Sequence, residues 1–279
     1  MTMRLRTRTL FAAALAAALV AAVSLAPSAQ QPPAPGGQRG AARNAPPPGP
    51  TPRTPDGHPD LHGIWMGGGP SSDIEDGLAE GESIPYSATG KKVKESRMAK
   101  DDPEANCLPT GVPRIAPYPW RIVTTPSGSH MYFLFEGNVH SYRQIFMDGR
   151  KHPEGDLLNP TWYGHSVGRW DGDTLVIDTV GFNDRSWFDF VGNPHSEKLH
   201  VVERYTRKDS ATMVNEITID DPVMYTRPWK ATFTARARPD EELMEYFCQE
   251  NERDSHKLQG PAVRDVPKRP TTGRGRGGD

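Results

Sequence analysis

NPTWYGHSVGRWDGDTLVIDTVGFNDRSWFDF, residues Asn159–Phe190, is the densest run of strand formers and turn formers in the chain. Trp162–Trp170 and Thr174–Phe182 are rich in β-branched and aromatic residues, which suit a pleated, half-buried surface. Asp171-Gly172-Asp173 between them supplies the positive-φ position that a short hairpin turn requires. The stretch therefore predicts an antiparallel hairpin, and that hairpin carries the imidazole of His165 and the carboxylate of Asp178.

Gly164-His165-Ser166-Val167-Gly168 also fits the G-x-S-x-G pattern of a nucleophile elbow. An elbow needs a strand, a strained turn and then a helix whose N-terminus faces the oxyanion. Here Gly168 is followed by RWDGDTLVIDTV, a turn and a second strand. Without that helix the motif has lost its structural context, and Ser166 reads as an ordinary strand residue.

Outward from the hairpin, short strands continue in both directions. Leu61–Met66, Arg121–Thr125, His130–Glu136 and Val139–Met147 precede it, with turns at Pro126-Ser127-Gly128 and Gly137-Asn138. Leu199–Arg207, Thr212–Ile219, Trp229–Arg238 and Leu243–Glu250 follow it. Lys91–Lys100 is the one helix of any length to be expected. About eight to ten strands with hairpin-length connections predict an all-β fold, an antiparallel β-barrel of lipocalin-like type or a barrel-like sandwich with long loops and little helix. Closure into a barrel removes exposed edges and is the favoured form.

The two ends read differently. Arg4, Arg6 and Arg8 precede an Ala/Leu/Val run and then small residues, the layout of a secretory signal peptide over residues 1–29. Residues 30–54 form a Pro/Gly-rich tether, 55–258 a single β-rich domain of about 200 residues with room for a core, and 259–279 an Arg/Gly-rich tail. With 33 Lys and Arg against 35 Asp and Glu, the net charge of −2 carries no nucleic-acid footprint. The expectation is an exported, periplasmic or secreted bacterial protein with no membrane span left after signal cleavage. The two cysteines, Cys107 and Cys248, are then either a disulfide formed after export or two separately buried thiols.

Period-two alternation sorts side chains by face. His140, Tyr142, Gln144 and Phe146 share one face of their strand, opposite Arg143 and Ile145. Val201, Glu203 and Tyr205 oppose His200, Val202 and Arg204. Val176, Asp178, Val180 and Phe182 fall together, so Asp178 sits in an apolar row and reads as the buried acid of the chain, partnered by Arg169 or His165.

TPDGHPDLHGIW, EGNVHSYRQIFMDGR, NPTWYGHSVGRWDGDTLVIDTVGFNDRSW and HSEKLHVVERY together resemble a family of secreted bacterial proteins, over nearly the whole folded region. The resemblance implies export and one domain and carries no activity with it.

The polar residues support three kinds of function. In the first, an exported lyase, isomerase or hydrolase uses His165 and Asp178 for acid–base chemistry in an aromatic-lined barrel cavity, with His140, Tyr142 and Glu203 completing the catalytic set. Trp162, Tyr163, Arg143, Arg169 and Trp187 would hold a small-molecule substrate. In the second, His140, His165, His195 and His200 from different strands ligate zinc or copper, although no H-E-x-x-H spacing is present. In the third, the barrel carries an apolar ligand without turnover. Asp56, His58, Asp60 and His62 alternate near the start, but the intervening Pro and Gly explain them as Asx-turn residues. The loop Asn183–Lys198 is long enough for a lid, held by Asp184 and Arg185. No phosphate loop, dinucleotide turn or haem-attachment motif occurs.

Overall fold

The computed structural model describes residues 48–70, 72–114, 116, 118–137, 141–251 and 260–262. The signal-peptide reading of 1–29, most of the tether, His140 and the tail beyond 262 lie outside the described residues.

Nine strands form a closed barrel in sequence order: β1 (Gly63–Gly67), β2 (Trp120–Thr124), β3 (His130–Phe135), β4 (Ser141–Phe146), β5 (His165–Asp171), β6 (Thr174–Val180), β7 (His200–Arg207), β8 (Thr212–Asp220) and β9 (Trp229–Ala237). β9 returns to pair with β1, which closes the ring. The central hairpin is β5–β6, with Asp171 opposite Thr174 and the turn made by Gly172, at φ 58°, and Asp173.

Three features depart from the sequence expectation. β4 and β5 run parallel and share only two residue pairs, Ile145 with Ser166 and Phe146 with Val167. A parallel neighbour cannot be reached by a tight turn, and residues 147–164 supply the crossover, running back along the outside of the wall. Leu243–Glu250 is no strand, because β1 already occupies the free edge of β9. The chain there runs irregularly into a one-turn helix, α2 (Cys248–Asn251). Residues 48–54, read as tether, pack on the barrel: Gly49 N–H donates to Ser210 Oγ at 2.7 Å, and the Arg53 guanidinium forks onto Asp173 at 2.9 and 2.6 Å.

Among the described residues the one longer helix, α1 (Ala88–Ser96), starts a turn earlier than expected because the Ser87 side chain caps it, accepting from Gly90 N–H at 3.0 Å. Gly90 lies so close to the Met224 carbonyl that a β-carbon would meet it. Among the described residues no helix is long and apolar enough to cross a membrane.

The lumen is filled. Trp65, Trp120, Phe133, Phe135, Ile145 and Tyr205 pack in one buried cluster, and Phe182, Phe188, Val201, Ile217 and Trp229 in a second. The space expected to be an aromatic-lined cavity is therefore a packed core, because side chains of this bulk meet across a ring of nine strands. Cys107 and Cys248 are joined as a disulfide with Cα atoms 5.5 Å apart, closing a segment of 141 residues.

Candidate active site at the barrel seam

Face assignment on β5, β6 and β7 determines where the chemistry lies. Ser166, Leu175, Ile177, Thr179, Val201, Glu203 and Tyr205 point inward and are buried. His165, Asp178 and His200 alternate with them and point outward. Asp178 is thus not the buried acid expected from its apolar row; its side chain is 30% exposed on the outer wall. The inward row of β6 is Leu175, Ile177 and Thr179, with the apolar Val176 and Val180 outside, so both faces of this strand are largely apolar.

On the outer wall the crossover delivers His152 to the strands. Asp178 Oδ1 accepts from His152 Nε2 at 3.0 Å and from His200 Nε2 at 2.9 Å. The other ring nitrogen of His152, Nδ1, lies 2.8 Å from His165 Nδ1. Asp178 therefore takes two imidazoles, and neither Arg169 nor His165 contacts it directly. Arg169 stands exposed on β5 beside Asp171. His165 stacks on Phe146 with ring centroids 4.9 Å apart, and the Arg150 guanidinium lies 3.9 Å from the same ring centre.

The hydrogen-bond chain fixes tautomers. His152 donates Nε2–H to the carboxylate, so in the neutral ring its Nδ1 has only a lone pair to offer. His165 must then donate its Nδ1–H to His152, which leaves the lone pair of His165 on Nε2. The chain thus presents a neutral imidazole with a basic nitrogen unpaired by protein among the described residues. Electrostatics agree. Burial first, then the nearby His152 and Arg150, push the His165 pKa below its ordinary 6.5. The hydrogen bond from His200 holds Asp178 below the usual carboxylate range, and the same bond raises His200. A proton taken at His165 Nε2 can be matched by transfer of the Nδ1 proton to His152, whose imidazolium then rests on Asp178.

His165 lines a cavity of about 490 Å³ between β4, β5 and the crossover. Tyr142, Phe146, Leu157, Leu158 and Tyr163 form its walls, and Arg143 and Ser166 reach its floor. The Tyr163 hydroxyl lies 2.6 Å from Ser141 Oγ, and burial pushes its pKa up to about 12. Beneath the floor Arg143 and Glu203, each 2% exposed, sit with Nη1 and Oε2 2.6 Å apart, close as an ion pair but outside hydrogen-bond alignment. Arg143 also donates from Nε to Ser166 at 3.0 Å and from Nη2 to Thr179 at 2.7 Å, while Tyr205 donates to Glu203 Oε1 at 2.9 Å.

This network removes Ser166 from nucleophile duty, since its hydroxyl is fully buried among Arg143 and Thr179. The two glycines of its motif have structural causes. Gly164 has φ 65° and abuts Thr179 and Val180, and Gly168 lets β4 approach, since a β-carbon there would meet the side chains of Ile145 and Met147.

The remaining expected site residues separate. Tyr142 projects outward from the cavity wall at 61% exposure. Arg143 and Glu203 neutralise one another beneath it, so neither is a free substrate-binding or proton-transfer group. Trp162 is half-buried at the foot of the crossover. Trp187 is buried under the Arg97 guanidinium, 4.7 Å from its ring centre, in a loop whose Ser186, Phe188 and Asp189 are core residues, so Asn183–Lys198 is packed structure and not a lid. Asp184 and Arg185 are exposed. Of the expected metal ligands, His195 is sealed elsewhere, against Ser186 Oγ at 2.7 Å and stacked on Phe188, and does not join His165 and His200. Among the described residues no group of His, Cys, Asp and Glu is arranged to hold a metal ion. His152 escaped the sequence reading because it sits in a loop; the one available signal was a connection too long for a hairpin.

Compared with family models, curated proteins and solved structures, the chain finds no match. Function has to come from the chemistry of the site itself.

Proposed function

We propose that the protein is an exported small-molecule enzyme of the lyase, isomerase or hydrolase type, with His165 Nε2 as its general base in the seam cavity. The observation that carries this reading is the chain from His165 through His152 to Asp178, which gives a neutral, oriented imidazole on the wall of a 490 Å³ pocket. A pocket of this size with apolar walls and few polar groups suits a small organic substrate. His152 and Asp178 act through His165 and are positioning residues. Export is supported by the Arg-then-apolar N-terminus and by the Cys107–Cys248 disulfide.

The test uses p-nitrophenyl acetate hydrolysis and α-proton exchange of an aryl ketone in deuterated water as probes. The expected rate rises through an apparent pKa below 6.5 and falls about 100-fold or more in H165Q. H152A and D178N should fall less and shift the pH profile, while H62A, at an exposed histidine elsewhere, should match wild type. Identical rates and pH profiles in wild type and H165Q with both probes would overturn the assignment.

A further inference from the structure

A second cavity, of about 560 Å³, shares no lining residue with the first and lies between α1 and the segment 260–262. Its far wall is fixed by backbone pairing: Ala99 N–H donates to Gly260 C=O at 3.2 Å and Ala262 N–H to Arg97 C=O at 3.0 Å. Tyr86, Pro261 and Ala262 give it apolar surface, and the cations Lys91, Lys94 and Arg97 line it together with one carboxylate, Glu95. Lys91 and Lys94, three residues apart, share one face of α1, and Arg97 follows as the extended residue just past its C-terminus.

These cations are poorly matched by acids. Glu95 lies 3.9 Å from Lys91. Lys94 Nζ donates to the Tyr86 hydroxyl at 2.8 Å, and Arg97 Nη1 reaches only the carbonyls of Gly192 and Asn193 at 3.3 and 3.4 Å. The nearest buried acids are engaged elsewhere: Asp189 accepts from Ile74 N–H and from Asn193, and Asp102 is forked by Arg114. Burial pulls the Arg97 pKa down to about 10, against the upward pull of Tyr225, Asp189 and Asp102. Helix C-terminal cations are favourable to the helix dipole, but Arg97 turns away from the last carbonyls of α1 and over Trp187.

We propose that this cavity binds a small amphiphilic carboxylate, its head between Lys94 Nζ and the Arg97 guanidinium and its apolar body along Tyr86, Pro261 and Ala262. An arginine and a lysine supply planar and point-charge recognition of one carboxylate, and the apolar wall selects an organic anion over an inorganic one. The site is separate from His165 and independent of what His165 does.

Calorimetric titration of the full chain with 1-naphthoate tests this. The expected result is one saturable site, weakened about tenfold or more in K94Q/R97Q and unchanged in H165Q. The uncharged 1-naphthalenemethanol should bind about tenfold more weakly than naphthoate, and R97K, which keeps the charge but loses the planar fork, should fall between wild type and K94Q/R97Q. No saturable binding below about 1 mM naphthoate, or equal affinity in wild type and K94Q/R97Q, would overturn the proposal.

Discussion

Replacing Glu203 by Gln changes one atom beneath the seam and should cost a large share of the protein's stability. Glu203 and Arg143 are each 2% exposed and 2.6 Å apart, so the guanidinium has no water to fall back on. Its other partners, Ser166 at 3.0 Å and Thr179 at 2.7 Å, are neutral hydroxyls and cannot balance its charge. Breaking a buried pair by neutralising one member leaves an uncompensated charge, at a cost of about 3–5 kcal/mol. Urea unfolding followed by tryptophan fluorescence measures it; with a slope of about 2–3 kcal/mol per molar, the midpoint should drop by roughly 1–2 M. R143M/E203L removes both charges and should cost less than E203Q alone, even though it deletes more polar atoms. An E203Q protein within about 1 kcal/mol of wild type would mean that water reaches the pair and that the lumen is not dry.

Two further predictions concern stability. Burial holds the fully buried His195 at a pKa of about 4, against 6.5 in the unfolded chain. The unfolded state therefore binds a proton between those values that the folded state refuses, so stability is intact above pH 6.5 and falls as pH drops through the window. Wild type should lose about 2–3 kcal/mol more than H195Q between pH 7.5 and 4.5 in urea unfolding; parallel losses in the two proteins would refute this. His200 does not mimic the effect, since its raised pKa gives stability that is present at low pH and fades above 6.5. Opening the Cys107–Cys248 bridge frees a loop of 141 residues. Both reductant and C107S/C248S should lower stability by about 2–5 kcal/mol, and an unchanged melting temperature under reductant would contradict it.

Strand positions and the central turn were legible because local signals set them: β-branched runs, Gly172 at positive φ, and hairpin-length spacings. Which side chains share a face was legible too, since the period of two needs no tertiary information. Which face points inward was not. On Thr174–Val180 both rows are largely apolar, and the inward choice is made with the neighbouring strand, where Glu203 and Tyr205 stand opposite Ile177 and Leu175 and face the core with them. Leu243–Glu250 misled for a related reason: its composition suits a strand, but pairing depends on a free edge, and β1, far away in sequence, had taken it. His152 was invisible because nothing local marks a loop histidine that only a parallel crossover brings to the wall.

That crossover also explains why the buried ion pair and the outer histidines occur at one place. A closed barrel relies on backbone ladders between all neighbours, and at β4–β5 the ladder has only two residue pairs. Arg143 on β4 bridges the gap from inside, reaching Ser166 on β5, Thr179 on β6 and Glu203 on β7, so side-chain bonds tie together strands that backbone bonds barely join. The same short ladder leaves the wall open outside, and the crossover covers the opening incompletely, which creates the cavity and puts His152 beside His165. The charge network within and the imidazole chain without are thus two consequences of one parallel join. Loosening the first in E203Q should therefore disturb the second, shifting the pH profile of His165 before the protein unfolds.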